Sequence, residues 1–209
     1  MKELLIATGN RGKFAEIREL LKDTVEHFYS LDDFPEIPKV LEDGATFEEN
    51  ALKKGRSAAR ATGVPVIADD SGLEVDRLGG APGVHSARFA GEDASDGENN
   101  EKLLKAIAHL PREQRTAAFR CVVALCLPDG TCHTFTGSLC GILLLEPRGS
   151  GGFGYDPLFL VPEQQKTLAE LSSEVKNSIS HRGKALAGLK KFLNGYQDQL
   201  LRNYQNESP

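Results

Sequence analysis

The sequence lacks a basic excess, a closely spaced cysteine pair and a long apolar run. Each absence removes a class of function. Across 209 residues, 25 Lys and Arg stand against 30 Asp and Glu, a formal net charge of −5. Nonspecific affinity for DNA or RNA needs a basic face, so the chain is not expected to grip nucleic acid with its whole surface. A small phosphate ligand stays open. The apolar residues near the start, Leu4 to Ala7 in number only four, are too few for a signal core or a membrane span, so a cytoplasmic protein without membrane contact is expected. The four cysteines, at 121, 126, 132 and 140, form no Cys-x-x-Cys motif and are read as buried reduced thiols rather than disulfides or zinc ligands. Neither an internal repeat nor a linker of disordered composition interrupts the chain.

What is present is an ordinary globular composition, 40% hydrophobic and 26% charged, enough for one large domain or two small lobes at about 150 residues per domain. A short apolar run ends at Thr8-Gly9-Asn10, and apolar residues at 14, 17, 20 and 21 then recur with helical spacing. Residues 25–29 read as a second strand and residues 31–44 as an acidic, proline-bearing loop. Thr46 and Glu49 have the spacing of a capping box for a helix running to about Thr62. Residues 65–68 read as a short strand ending in Asp69-Asp70-Ser71-Gly72, with residues 74–78 as a separate strand. Ser95 or Asp96 can cap a helix through His109. Two strand-like stretches flank Pro128-Asp129-Gly130, a hairpin signal that makes the sheet mixed. Residues 148–156 form a glycine-rich loop, residues 178–193 a terminal helix that Gly195 would end, and residues 205–209 should fray.

Four places carry chemistry. Thr8, Gly9, Asn10, Arg11, Gly12 and Lys13 lie between a strand and a helix, where backbone amides and the helix dipole favour an anion, although Ala7 and Phe14 break the P-loop pattern. A polar turn with a solvated lysine fits equally well. Asp69 and Asp70 point to opposite faces of their strand, so one faces a cleft and the other has a structural task, unless both simply make Asx turns. The Glu42-Asp43 pair could complete a magnesium site with them. Phe153, Gly154, Tyr155 and Asp156 follow a run of glycines that would let a ring stack on a base with a carboxylate at its edge. Lys176, His181 and Arg182 gather cationic groups near a helix start, as either an anion site or a solvated helix face.

In order along the chain stand TGN with Lys13, ADDSG at 68–72, PGVHSARF at 82–89, GGFGYDPLF at 151–159 and SHRGKAL at 180–186. This series resembles the Ham1, or inosine triphosphate pyrophosphatase, family, whose members hydrolyse non-standard purine nucleoside triphosphates to the monophosphate and pyrophosphate. The resemblance spans essentially the whole chain. It implies a mixed α/β fold with a long curved central sheet flanked by helices, one domain over residues 1–209 in two lobes with a cleft between them, and a homodimer. It also implies that Thr8 to Lys13 in sequence hold the triphosphate with Lys54, that Asp70 is the catalytic carboxylate and meets Mg2+ together with Glu42, and that Ser71 touches substrate. Phe153 would stack on the base with Asp156 at the base or ribose edge, and Lys176, His181 and Arg182 would contact base and phosphate. The cations Lys13, Lys54, Lys176, His181 and Arg182 are then expected to make one positive cleft in an acidic protein. A Maf-like pyrophosphatase reading a different base and a catalytically silent nucleotide-binding protein are the rival readings.

Overall fold

The structure, a computed structural model, describes residues 1–38 and 40–206. Seven strands, β1 (Glu3–Ile6), β2 (His27–Tyr29), β3 (Val66–Val75), β4 (Thr116–Cys126), β5 (Cys132–Leu143), β6 (Phe159–Val161) and β7 (Lys166–Thr167), form one sheet in the order β2-β1-β3-β4-β5-β6-β7. The pairs β1–β2 and β1–β3 are parallel and the remaining pairs antiparallel, so the sheet is mixed as expected. Five α-helices accompany it: α1 (Arg11–Leu21), α2 (Phe47–Thr62), α3 (Asp96–Ile107), α4 (Ser173–Ile179) and α5 (His181–Asn206). None among the described residues is long and apolar enough to cross a membrane.

Strand alternation builds both faces. Leu4 and Ile6 pack with Ile67, Val123, Ile17 of α1 and Leu186 of α5, whereas Leu5 and Ala7 turn to Ala68, Val122 and Ala51 of α2. A third cluster, containing Leu73, Leu103, Phe119 and Phe159, fills the far end of the sheet. Local chemistry starts the helices. Asn10 Oδ1 accepts from the Lys13 N–H at 3.0 Å, Thr46 Oγ1 from the Glu49 N–H at 3.1 Å, and Ser95 makes a full capping box with Glu98. Gly63, at φ 70, closes α2.

Three expectations need correction. Residues 65–68 and 74–78 are not two strands, because β3 runs unbroken from Val66 to Val75 through Asp69-Asp70-Ser71-Gly72. Turn-forming residue types lose to pairing here, since all ten residues have partners on β4. The cysteines are not all reduced and buried. The β4–β5 hairpin places Cys126 opposite Cys132, with Cα atoms 4.2 Å apart, and they form a disulfide, while Cys140 is exposed. Only Cys121 fits the expectation, a buried thiol whose pKa burial pushes up to about 12. Gly195 does not end the last helix, which continues to Asn206, and its start is His181 because Ser180 closes α4 and its Oγ accepts from the Gly183 N–H. Of the segment expected to fray, Gln205 and Asn206 are helical and residues 207–209 lie outside the described residues.

Candidate active site

The site opens where the sheet runs out of a partner. β1 pairs with β3 only at Val66 and Ile67, and its chain then turns through Thr8–Gly9–Asn10 into α1. Beyond Ile67 the same edge of β3 carries Asp69, Asp70 and Ser71 past that turn. Gly72 is covered by the 3₁₀ segment Gly83–Arg88, and a Cβ on it would sit 2.4 Å from the Gly83 carbonyl oxygen, so only glycine permits this approach. The Asx-turn reading of the two aspartates is thereby excluded. They are strand residues on opposite faces.

Asp70 faces α2. Its Oδ1 lies 3.4 Å from Lys54 Nζ, its Oδ2 accepts from Asn50 Nδ2 at 3.1 Å, and Lys54 also meets Glu42 Oε2 at 3.0 Å. Burial raises the Asp70 pKa above the usual carboxylate value, against the pull of Lys54, Lys13 and the Asn50 hydrogen bond. For Lys54 burial works against the charge, but Asp70, Asp69 and Glu42 outweigh it and raise its pKa. The neighbouring Lys53 turns outward to pair with Asp43, so Lys54 and Glu42 are the members that face inward.

Asp69 faces the other way and begins a chain of alternating charge. Lys13 Nζ lies 3.1 Å from Asp69 Oδ2, which lies 3.2 Å from Arg182 Nη2. Arg182 Nη1 meets Glu16 Oε2 at 2.5 Å, Glu16 Oε1 meets Lys176 Nζ at 2.7 Å, and Lys176 Nζ meets Asp156 Oδ2 at 2.6 Å. Asp156 finally accepts from the Phe153 N–H at 3.0 Å, which fixes the glycine-rich loop. Despite its burial, Asp69 is held far below the usual carboxylate range by Lys13 and Arg182. At 1% exposure Arg182 is no solvated helix face, and that reading of the 176–182 cluster is wrong. His181 is also buried and stacks on Phe119 at 4.7 Å, with burial first and then Arg182 and Lys176 pressing its pKa well below 6.5. Its Nδ1 has no hydrogen-bond partner among the described residues.

Two cavities meet at this frame. Thr8, Gly9, Asn10, Lys13, Glu42, Lys54, Asp70 and Ser71 line one of about 530 Å³. Asn10, Lys13 and Ser71 also line a second of about 90 Å³, together with Phe153, Gly154, Tyr155, Asp156, Lys176, His181 and Arg182. Lys176 and Arg182 stand over the Phe153 ring, at 4.8 and 5.6 Å from its centroid. Arg11 and Gly12 line neither cavity. Arg11 is exposed, and Gly12 packs against Phe153, where a Cβ would lie 2.5 Å from Cδ1. Tyr155 is tied down by its hydroxyl, which donates to the Ser86 carbonyl at 2.8 Å, and Gly154 is clamped by Asp96 and Asn100.

The cations of the expected positive cleft are largely compensated by carboxylates. Lys13, Lys54, Lys176 and Arg182 are each paired, and the carboxylates they meet are Glu16, Glu42, Asp69, Asp70 and Asp156. Of those carboxylates Glu16 and Asp69 line neither cavity, whereas Arg88 lines the larger and Asp96 the smaller, so the two linings carry five Lys and Arg against four Asp and Glu. Arg182 has also committed four of its five N–H groups to Asp69, Glu16 and Ser71. Glu42 and Asp70 do offer two oxygen-bearing groups beside the larger cavity, although no cluster of three or more His, Cys, Asp or Glu suited to a metal occurs among the described residues. Two carboxylates suffice for a magnesium ion that arrives on phosphates and keeps water ligands, so the donor set fits that ion.

Sequence reasoning passed over Glu16 and Asn50. Glu16 stands one helical turn after Lys13 and so shares its face, a signal available in the spacing. Asn50 sits on the buried row of α2 with Ala51 and Ala58, and a polar residue on an apolar row was the cue.

The chain is matched by the Ham1 family over residues 4–192. It is 57% identical to a protein named dITP/XTP pyrophosphatase from Geobacter sulfurreducens, over 94% of this chain and 98% of that one. A protein of the same name from Bacillus subtilis is 48% identical, over 92% and 98%. Among solved structures, a HAM1 protein from Coxiella burnetii superposes with a TM-score of 0.84 at 44% identity, covering 93% of this chain and all of the other.

Proposed function

We propose, because this chain belongs to the Ham1 family, that it hydrolyses non-standard purine nucleoside triphosphates such as ITP, dITP and XTP to the monophosphate and pyrophosphate, removing them from the nucleotide pool. The observation that carries the reading is Asp70, turned into the 530 Å³ cavity beside Lys54 and opposite the N-terminus of α1. In this reading Thr8, Gly9, Asn10 and Lys13 receive the triphosphate on backbone amides and one ammonium, with Arg11 flanking them and Lys54 on the opposite wall. Asp70 orients a water toward the α-phosphorus and takes its proton, a task suited to a carboxylate whose pKa burial has raised. Glu42 and Asp70 would hold Mg2+, which when bound neutralises phosphate charge and eases the departure of pyrophosphate.

Ser71 contacts the substrate where the two cavities join. Phe153 stacks on the purine, Gly154 and Tyr155 shape the loop, and Asp156 lies at the base or ribose edge. A cavity of about 90 Å³ is below the usual several hundred of a ligand pocket, so base entry swings the Phe153 ring off Gly12. The free His181 Nδ1 and the one uncommitted Arg182 N–H read a 6-keto group, while Lys176 supplies charge. The protein acts as a cytoplasmic homodimer of one domain with two lobes, on free nucleotides rather than nucleic acid or membranes. A panel of ITP, dITP, XTP and the four standard triphosphates tests the reading. Monophosphate and pyrophosphate from the first three are expected; diphosphate and phosphate, or no selectivity, would overturn it.

A further inference from the structure

Asn50 is fully buried, and both ends of its amide are used. Its Oδ1 accepts from the Gly44 N–H at 2.8 Å, and its Nδ2 donates to Asp70 Oδ2 at 3.1 Å. The orientation is unambiguous, because a backbone N–H demands the carbonyl end and leaves the NH2 for the carboxylate. The approach to Gly44 is close enough that a Cβ there would lie 2.6 Å from Oδ1. Gly44 is two residues from Glu42, whose own backbone carbonyl accepts from Arg88 Nη2 at 2.8 Å. One amide therefore joins β3, α2 and the acidic loop.

We propose that Asn50 is a positioning residue: by gripping one oxygen of Asp70 and the backbone of the Glu42 loop, it fixes the two acidic groups relative to each other and turns Asp70 Oδ1 toward the cavity. The inference rests on Asp70 being the reacting carboxylate. A carboxylate held at one oxygen loses rotation about its Cβ–Cγ bond, and the remaining oxygen meets Lys54 at 3.4 Å in a constant direction. Groups that orient a reacting or ligating residue in this way typically account for about 10- to 100-fold in activity. Asn50 lines neither cavity, so its loss has no direct route to substrate affinity.

A double-mutant cycle on the full-length protein with dITP tests this. Asn50→Ala is expected to lower kcat about tenfold or more while KM stays within about twofold. In an Asp70→Ala background the same substitution is expected to lower kcat by a clearly smaller factor than in the parent, because one of the two groups it holds is gone. An equal loss in both backgrounds would assign Asn50 a general packing role and overturn the proposal, as would a parental kcat in Asn50→Ala. Should Asn50→Ala fail to fold, Asn50→Asp keeps the acceptor for Gly44, removes the donor to Asp70 and sets a second carboxyl group beside it. It is expected to lose kcat with KM kept, and parental turnover in it overturns the proposal. Parental turnover in Asp70→Ala alone would instead defeat the reading of Asp70 on which the inference stands.

Discussion

Glu16 Oε1 lies 2.7 Å from Lys176 Nζ, bringing the first helix against the fourth beside the smaller cavity, which Lys176 lines. The second Glu16 oxygen meets Arg182, so one carboxylate compensates two buried cations. Such networks add little net stability over an apolar core, but breaking them leaves charge uncompensated. Glu16→Gln is expected to cost about 2 kcal/mol by urea unfolding at pH 7, a value kept low because Asp69 and Asp156 still face the two cations. A change below a few tenths would show that Glu16 is dispensable to the network.

Replacement of Asp70 by asparagine keeps shape and the place of the Asn50 contact while removing the proton acceptor. Turnover of dITP is expected to fall by about 10² to 10⁴, with an unfolding midpoint at or above that of the parent. Near-normal hydrolysis would remove Asp70 from the reaction.

His181 supplies a pH signature. Its folded pKa lies well below 6.5, so the folded protein keeps it neutral while the unfolded chain protonates as pH falls through 6.5. Stability from this group is present above that pH and is lost on acidification. His181→Gln lacks the loss, and between pH 6 and 5 its stability relative to the parent is expected to rise by up to about 1.4 kcal/mol per unit. A pH-independent difference would mean that His181 is protonated in the fold.

Phe153 sits between Gly12 and two cations, and its ring is the group proposed to meet the base. Phe153→Ala is expected to raise KM for dITP about tenfold or more, in line with about 1–3 kcal/mol for base stacking, and to leave the magnesium concentration for half-maximal rate unchanged. Unaltered KM values would take Phe153 out of the base pocket.

The legible parts of the sequence were those written in local chemistry. Thr46 and Ser95 announced helix starts, Asp129-Gly130 the hairpin, and the alternation at Asp69 and Asp70 their division between two faces. What escaped was decided by partners distant in sequence. Asp69-Asp70-Ser71-Gly72 looks like a turn until β4 pairs with all of it. Cys126 and Cys132 look unrelated until the hairpin register sets them face to face. The cluster at Lys176, His181 and Arg182 looks like a positive surface because its compensating acids, Glu16, Asp69 and Asp156, come from three other elements.

The long pairing of β3 with β4 has a consequence for how the chain must fold. Side chains on a strand change face with every residue, so a slip of β3 by one position would send Asp69 into the larger cavity and Asp70 among the cations of α1 and α5. Such a sheet would still be fully hydrogen-bonded, yet its chemistry would be exchanged between its two sides. The Cys126–Cys132 link ties β4 to β5 at the same end where Val66 meets Cys126, so it sits where the alignment of all three strands begins. Register acts here as a reading frame, and which aspartate faces the larger cavity is defined by a count of residues from that end.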